Sequence, residues 1–167
     1  MKPYDSTEDT KNHIGRVQWL LGRCRNNLRL RQDAHDKSKL EDPEKAIFDE
    51  MTPKLKGSTY GSEEYKGFLA AMKPALDHHY ANNSHHPEHY PNGIDGMSLL
   101  DLLEMLCDWK AAGERHANGS IERSLEINRE RFKISPQLQS VLENTARELG
   151  WLNNMLTVSG GRRATNE

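Results

Sequence analysis

Apolar residues recur at three- and four-residue intervals along nearly the whole chain, and strand-like alternation is rare. The sequence therefore predicts a series of α-helices joined by Gly, Pro and Asn turns. Val17, Leu20, Leu21, Cys24 and Leu28 form one stripe and predict a first helix from about Asp9 to about Arg29, with His13 at the head of the stripe. A short helical stretch carries His35-Asp36. A third helix starts near Pro43, a residue suited to a first turn, and buries Ile47, Phe48 and Met51 before Pro53 and Gly57 end it. Ser62 reads as an N-cap, with Glu63 and Glu64 complementing the helix dipole and Tyr65, Phe68, Leu69, Met72 and Leu76 turned inward; Pro74 should kink this helix. The most hydrophobic helix is expected from Met97 to Ala112. Another spans Ile121, Leu125 and Phe132 after the Asn118-Gly119 break, and a last one runs from Ser135-Pro136 to Gly150 with Leu138, Val141, Leu142 and Leu149 as its stripe. The expected fold is all-α, a single-domain bundle over residues 1–158, with a Gly- and Arg-rich tail, 159–167, expected to be disordered.

Composition narrows the classes. A chain of 167 residues is long enough for one domain with a core and short for two. It has no apolar run of membrane-spanning length, so no membrane role is expected. The formal charge of −2 gives no net attraction to nucleic acid; Arg23, Arg25, Arg29 and Arg31 make either a local positive rim or a solvated helix face. Cys24 and Cys107 sit among apolar residues and read as reduced core thiols, not a disulfide framework. The polar, acidic stretch Met1 to Thr10 lacks the layout of a secretion signal, so a cytoplasmic location is expected.

Histidine is the unusual part: of eight, five lie between His78 and His89. Adjacent His35 and Asp36 offer an imidazole nitrogen and a carboxylate oxygen to one ion, although on a helix their side chains diverge by about 100°. His79 continues the stripe of Met72 and Leu76 and should point inward, while His85 and His86 precede Pro87 in a rigid turn that can aim imidazoles. His13 is either a hydrogen-bonded core histidine or a ligand. In the greasy helix, Asp101, Glu104 and Asp108 share one narrow face; an interior acid stripe needs cations or strong donors, and Asp108 is the best ligand candidate. Together these residues read as a buried metal centre.

The ordered set His13-Ile14-Gly15-Arg16-Val17, His35-Asp36-Lys37-Ser38-Lys39 and Asp108 resembles the H, HD and D motifs of the HD-domain metal-dependent phosphohydrolase superfamily, which is all-α. HDKSK and HHPEHYPNGIDG are similar to segments of its cyclic-dinucleotide phosphodiesterases, the HD-GYP group, with Ser38 at the usual glycine and no GYP tripeptide. The chain also resembles a small uncharacterised phage and bacterial family carrying the HHPEHY run. The resemblance covers roughly residues 9 to 112.

It implies an HD-like bundle and a cofactor of one or two divalent transition-metal ions, Mn, Fe, Ni, Co or Zn. His13, His35, Asp36 and Asp108 would hold the first ion, Asp36 would bridge to a second, and His79, His85 and His86 would bind that second ion. Lys39 would face a substrate phosphate, with Asp36 as its catalytic partner; Arg16, Arg115 and His116 would be further phosphate ligands or surface salt-bridge formers. The implied activity is hydrolysis of a nucleotide or another small phosphoester by a metal-activated water. A non-catalytic nucleotide- or protein-binding module with a structural metal and an HD-type di-iron oxygenase are the alternatives, and a homo-oligomer stays open.

Overall fold

A computed structural model describes residues 3–57, 62–115 and 119–153, without the side chains of Lys56 and Tyr65. Every regular element among them is helical: α1 (Thr7–Ala34), α2 (Glu44–Gly57), α3 (Glu63–Ala71), α4 (Lys73–Asn82), α5 (Leu99–Glu114), α6 (Ile121–Phe132) and α7 (Pro136–Glu148). Tight 3-10 turns occur at Lys37–Leu40, Pro87–His89 and Gly93–Gly96. The all-α class follows. No helix of the described residues is long and apolar enough to cross a membrane. The chain divides into two compact units, Met1–Met105 and Leu106–Glu167, with the boundary inside α5. The tail, 159–167, and His116 lie outside the described residues.

In the first unit the α1 stripe has the predicted phase but not the predicted burial. No residue of α1 is buried, and Val17, Leu20 and Leu21 keep 39%, 44% and 63% of their surface. The reason is length: 28 residues make a rod of about 42 Å, twice what the 14-residue α2 spans at about 1.5 Å per residue. Cys24 lies on this uncovered helix, and Cys107 is exposed as well, so neither thiol is a core residue. Pro74 does not kink a helix; it sits in the first turn of α4, where its missing N–H has no carbonyl to serve, and α3 has already ended at Ala71. Pro53 lies inside α2, which continues to Gly57.

This unit hides an unusual amount of polarity. Among the described residues of this unit, Glu44, His79, Asn83, His85 and Asp101 are buried beside only Met72, Ala75, Pro87, Leu102 and Met105. Burying such groups is costly unless each finds partners. Asp101 finds them at the start of α5, where its carboxylate accepts from the Ser98 N–H at 2.8 Å and Ser98 Oγ accepts from the Asp101 N–H at 3.2 Å, a reciprocal cap. Ser84 Oγ and Tyr90 Oη also donate to Asp101, at 2.7 and 2.9 Å, and the Arg31 guanidinium lies 2.8 Å from it. Arg31 reaches Glu104 at 2.9 Å too, tying the end of α1 to α5. The interior acids thus have the donors their position demands. Arg31→Met should destabilise the protein by roughly 3 kcal/mol, because two largely buried carboxylates lose their cation; an unchanged denaturation midpoint would contradict this.

The second unit is built conventionally around Leu106, Ile121, Leu125, Ile134, Leu142 and Ala146. Ser120 caps α6 by accepting from the Arg123 N–H, and Ser135 caps α7 from the Leu138 N–H, with Pro136 in the first turn. Gly150 follows α7 at φ 73°, the left-handed stop predicted for it. Of the α7 stripe Leu142 is buried, whereas Val141 and Leu149 remain about half exposed.

Candidate metal centre

The His35-Asp36 pair does not lie on a helix. The chain leaves α1 at His35 (φ −48°, ψ 124°), and Asp36 adopts the left-handed conformation (φ 55°, ψ 13°) before the turn Lys37–Leu40. Asp tolerates this region better than most residues, though at a cost on the order of 1 kcal/mol. The turn removes the divergence a helix would impose: His35 Nε2 comes within 3.7 Å of Asp36 Oδ2. The α4 stripe delivers His79 into the interior as predicted, only 1% exposed. Directly after α4, Asn83 Nδ2 donates to the His79 carbonyl at 2.8 Å, and the chain turns so that buried His85 and half-buried His86 face back toward α4 ahead of the buried Pro87.

Four donor atoms converge here. Asp36 Oδ1 lies 3.3 Å from His79 Nε2 and 3.5 Å from His85 Nε2, and His79 Nε2 lies 2.9 Å from His86 Nε2. Asp36, His79, His85 and His86 each offer one ligand atom within 4.8 Å of all the others. Tetrahedral ligands at zinc-like bond lengths of about 2.0–2.1 Å sit about 3.3 Å apart, and the Asp36–His79, Asp36–His85 and His79–His86 separations lie close to that value. Among the described residues neither Asp36 Oδ1 nor His85 Nε2 has a hydrogen-bond partner, although both are buried. Orphaned buried polar atoms are rare and costly, and two of them aimed at one point between further imidazoles are what a cation would satisfy. The donor set, three imidazoles and a carboxylate without thiolate, suits a divalent transition metal.

The protonation states agree. Burial alone would raise the Asp36 carboxyl, but nearby His79 and the Lys39 ammonium hold it far below the usual carboxylate range. His86 is pushed down from 6.5 to about 3 by burial and by its neighbours His85 and His79, so it stays neutral, the form that ligates.

Two carboxylates outside the cluster aim the rings. Fully buried Glu44, from the first turn of α2, accepts from His79 Nδ1 at 2.9 Å and from His78 Nδ1 at 2.8 Å. Burial would raise its carboxyl, yet hydrogen bonds from His78, Ser38 and His79 lower it. On α5, Glu104 Oε1 lies 2.9 Å from His35 Nδ1 and 3.2 Å from His85 Nδ1. An acceptor-only partner at Nδ1 fixes the proton there and leaves the Nε2 lone pair for a metal. His35, His85 and Glu104 also form a second group of mutually close donor atoms; with Glu104 ionised and held by Arg31, its Nδ1 contacts read as ring orientation.

Of the other predicted residues, His13 is exposed on α1, about 30 Å along the helix axis from its end at about 1.5 Å per residue, and cannot join His35. Arg16 stacks over Trp19 at 4.3 Å on the same exposed stretch, and Arg115 is exposed after α5 in the second unit. Asp108 lies one turn past Glu104 on α5, half-buried and in the second unit. Lys39 Nζ lies 2.6 Å from Asp36 Oδ2, at the rim of the cluster. Glu44 and Glu104 are the residues that sequence reasoning did not bring to the site. For Glu104 the signal was its place on the acid face of α5; for Glu44, an ordinary first-turn acid, there was none.

The geometry defines a helical protein with a buried histidine–carboxylate centre. Comparison places the chain in a family: it belongs to a family of unknown function, DUF5662, which matches residues 2–148. No curated protein and no solved structure matches it.

Proposed function

We propose that this chain is a metal-dependent phosphohydrolase of the HD type, acting on a nucleotide or another small phosphoester. Asp36, His79, His85 and His86 would hold a single divalent transition metal, with His35 beside them. The observation that carries the reading is the pair of partnerless buried atoms, Asp36 Oδ1 and His85 Nε2, facing two more imidazoles. When bound, such an ion supplies a water of lowered pKa and a Lewis-acid contact to a phosphoryl oxygen. Lys39 is the cation placed at the rim to neutralise charge growing on the non-bridging oxygens. A pocket of about 280 Å³, lined by Arg31, His35, Asn82, Ser84, His85 and Glu104 among others, reaches one ligand of the cluster, His85. One ion is favoured over two because the group of four in the first unit is the largest set of converging donor atoms among the described residues. We place the protein in the cytoplasm, since neither Cys24 nor Cys107 forms a disulfide.

Metal-loaded protein should turn over at least one member of a panel of nucleotides and simple phosphoesters. Lys39→Ala should slow that turnover by about 10- to 1000-fold at unchanged metal content. A bound metal without turnover of any phosphoester would instead make the protein a non-catalytic binding module, and oxygen consumption by an iron-loaded form would point to oxygenase chemistry.

A further inference from the structure

We propose that the pocket between α6 and α7 of the second unit binds an alkylguanidinium, the cation carried by arginine and its derivatives. The pocket has a volume of about 390 Å³ and is lined by Glu122, Leu125 and Glu126 of α6 and by Gln139, Glu143 and Arg147 of α7, among others. Leu125 and Gln139, 2% and 7% exposed, form its floor, and the two exposed glutamates of α6 form its rim. The floor carries a polar atom without a partner. Gln139 Nε2 donates to Glu143 Oε1 at 2.9 Å, whereas Oε1 of the same amide is buried and has no hydrogen bond. Turning the amide over would not relieve this, because it would set an amide oxygen against a carboxylate that only accepts. Leaving a buried acceptor unpaired is costly, and a donor supplied by a ligand in the pocket is what removes that cost.

Charge calls for the same kind of ligand. Glu143 is already matched, with its Oε2 lying 3.3 Å from the Arg147 guanidinium. Glu122 and Glu126 are not. Four residues apart on one face of α6 they repel one another, and among the described residues neither side chain has an ion-pair or hydrogen-bond partner. The pocket therefore holds two uncompensated negative charges beside an orphaned acceptor. A metal ion does not fit this arrangement, since these glutamates are not among the groups whose donor atoms converge to within 4.8 Å. A larger cation with several donors spans it. The planar fork of guanidinium N–H groups grips carboxylates in pairs and sheds water more readily than an ammonium does, and an alkyl stem packs on Leu125.

The test is calorimetric titration of the full chain with agmatine, for which one saturable site per chain is expected. Gln139→Leu removes the orphaned oxygen at nearly constant volume. It should weaken agmatine binding by about tenfold or more, the loss of one hydrogen bond to a charged group, while the melting temperature stays level or rises. Glu126→Gln, at an exposed position, should weaken binding as well, and Glu130→Gln, one turn further along α6 and outside the lining, should not. The source of the guanidinium is read from a chain carrying Arg162→Ala and Arg163→Ala: unchanged agmatine affinity assigns the site to a ligand from outside the chain, and tighter binding shows these arginines to be its resident occupants. Absence of saturable agmatine binding in both the wild type and that double variant, or binding left unaltered by Gln139→Leu and Glu126→Gln, would overturn the proposal.

Discussion

Asp36→Ala and His79→Ala should each abolish metal binding and lower the thermal midpoint of metal-loaded protein, while in chelator the gap to wild type narrows. A metal that binds only the folded chain adds about 2.7 kcal/mol when present at a hundred times its dissociation constant, and that increment disappears with the ligands. The narrowing comes from the metal increment, which chelator removes from wild type as well; what remains of the gap for Asp36→Ala is the loss of its contacts to Lys39 and His79. Thermal melts of both proteins with metal and with chelator check it; equal losses in the two conditions would mean that the carboxylate holds the fold by itself and not through a metal.

The second large effect is expected at Glu44, which touches no ligand atom of the cluster. Glu44→Ala should weaken metal binding by roughly 10- to 100-fold, the usual loss when the carboxylate behind a ligating histidine is removed. It should also destabilise the chain by about 3 kcal/mol, since buried His79 loses the acceptor at its Nδ1. Glu44→Gln keeps the volume and an acceptor oxygen but not the charge, so it should recover more stability than affinity. Competition titration with a chromogenic chelator, run beside denaturant melts, separates the two losses. Wild-type affinity in Glu44→Ala would show that His79 needs no orientation from α2.

Helix type and phase were legible from periodicity because a 3.6-residue repeat is written in local sequence: α6 and α7 begin at the serines that cap them. Burial was less legible, since a stripe says which face is apolar and not whether anything covers it; α1 is the case in point. At the centre, His79, His85 and His86 were readable because a helix stripe and a Pro-fixed turn aim side chains locally. Asp36 was readable as a ligand but not as a left-handed residue, a conformation set by the tight turn Lys37–Leu40 into which α1 runs. The remaining differences concern partners distant in sequence. His13 matched a motif order but sits on the far part of a long rod, and Glu104 meets two histidines that its helical face alone could not name. Glu44 comes to His79 only through the packing of α2 on α4, which no local pattern announces.

The most direct measurement is metal content combined with X-ray absorption of full-length protein purified without chelator and reloaded in turn with Mn, Fe, Co, Ni and Zn. One ion per chain is predicted, with a first shell of nitrogen and oxygen, imidazole back-scattering from at least three histidines and no sulfur. That signal should be lost in His85→Ala. A wild-type chain that retains none of these metals, or binds one equally well after His85→Ala, would contradict the metal centre.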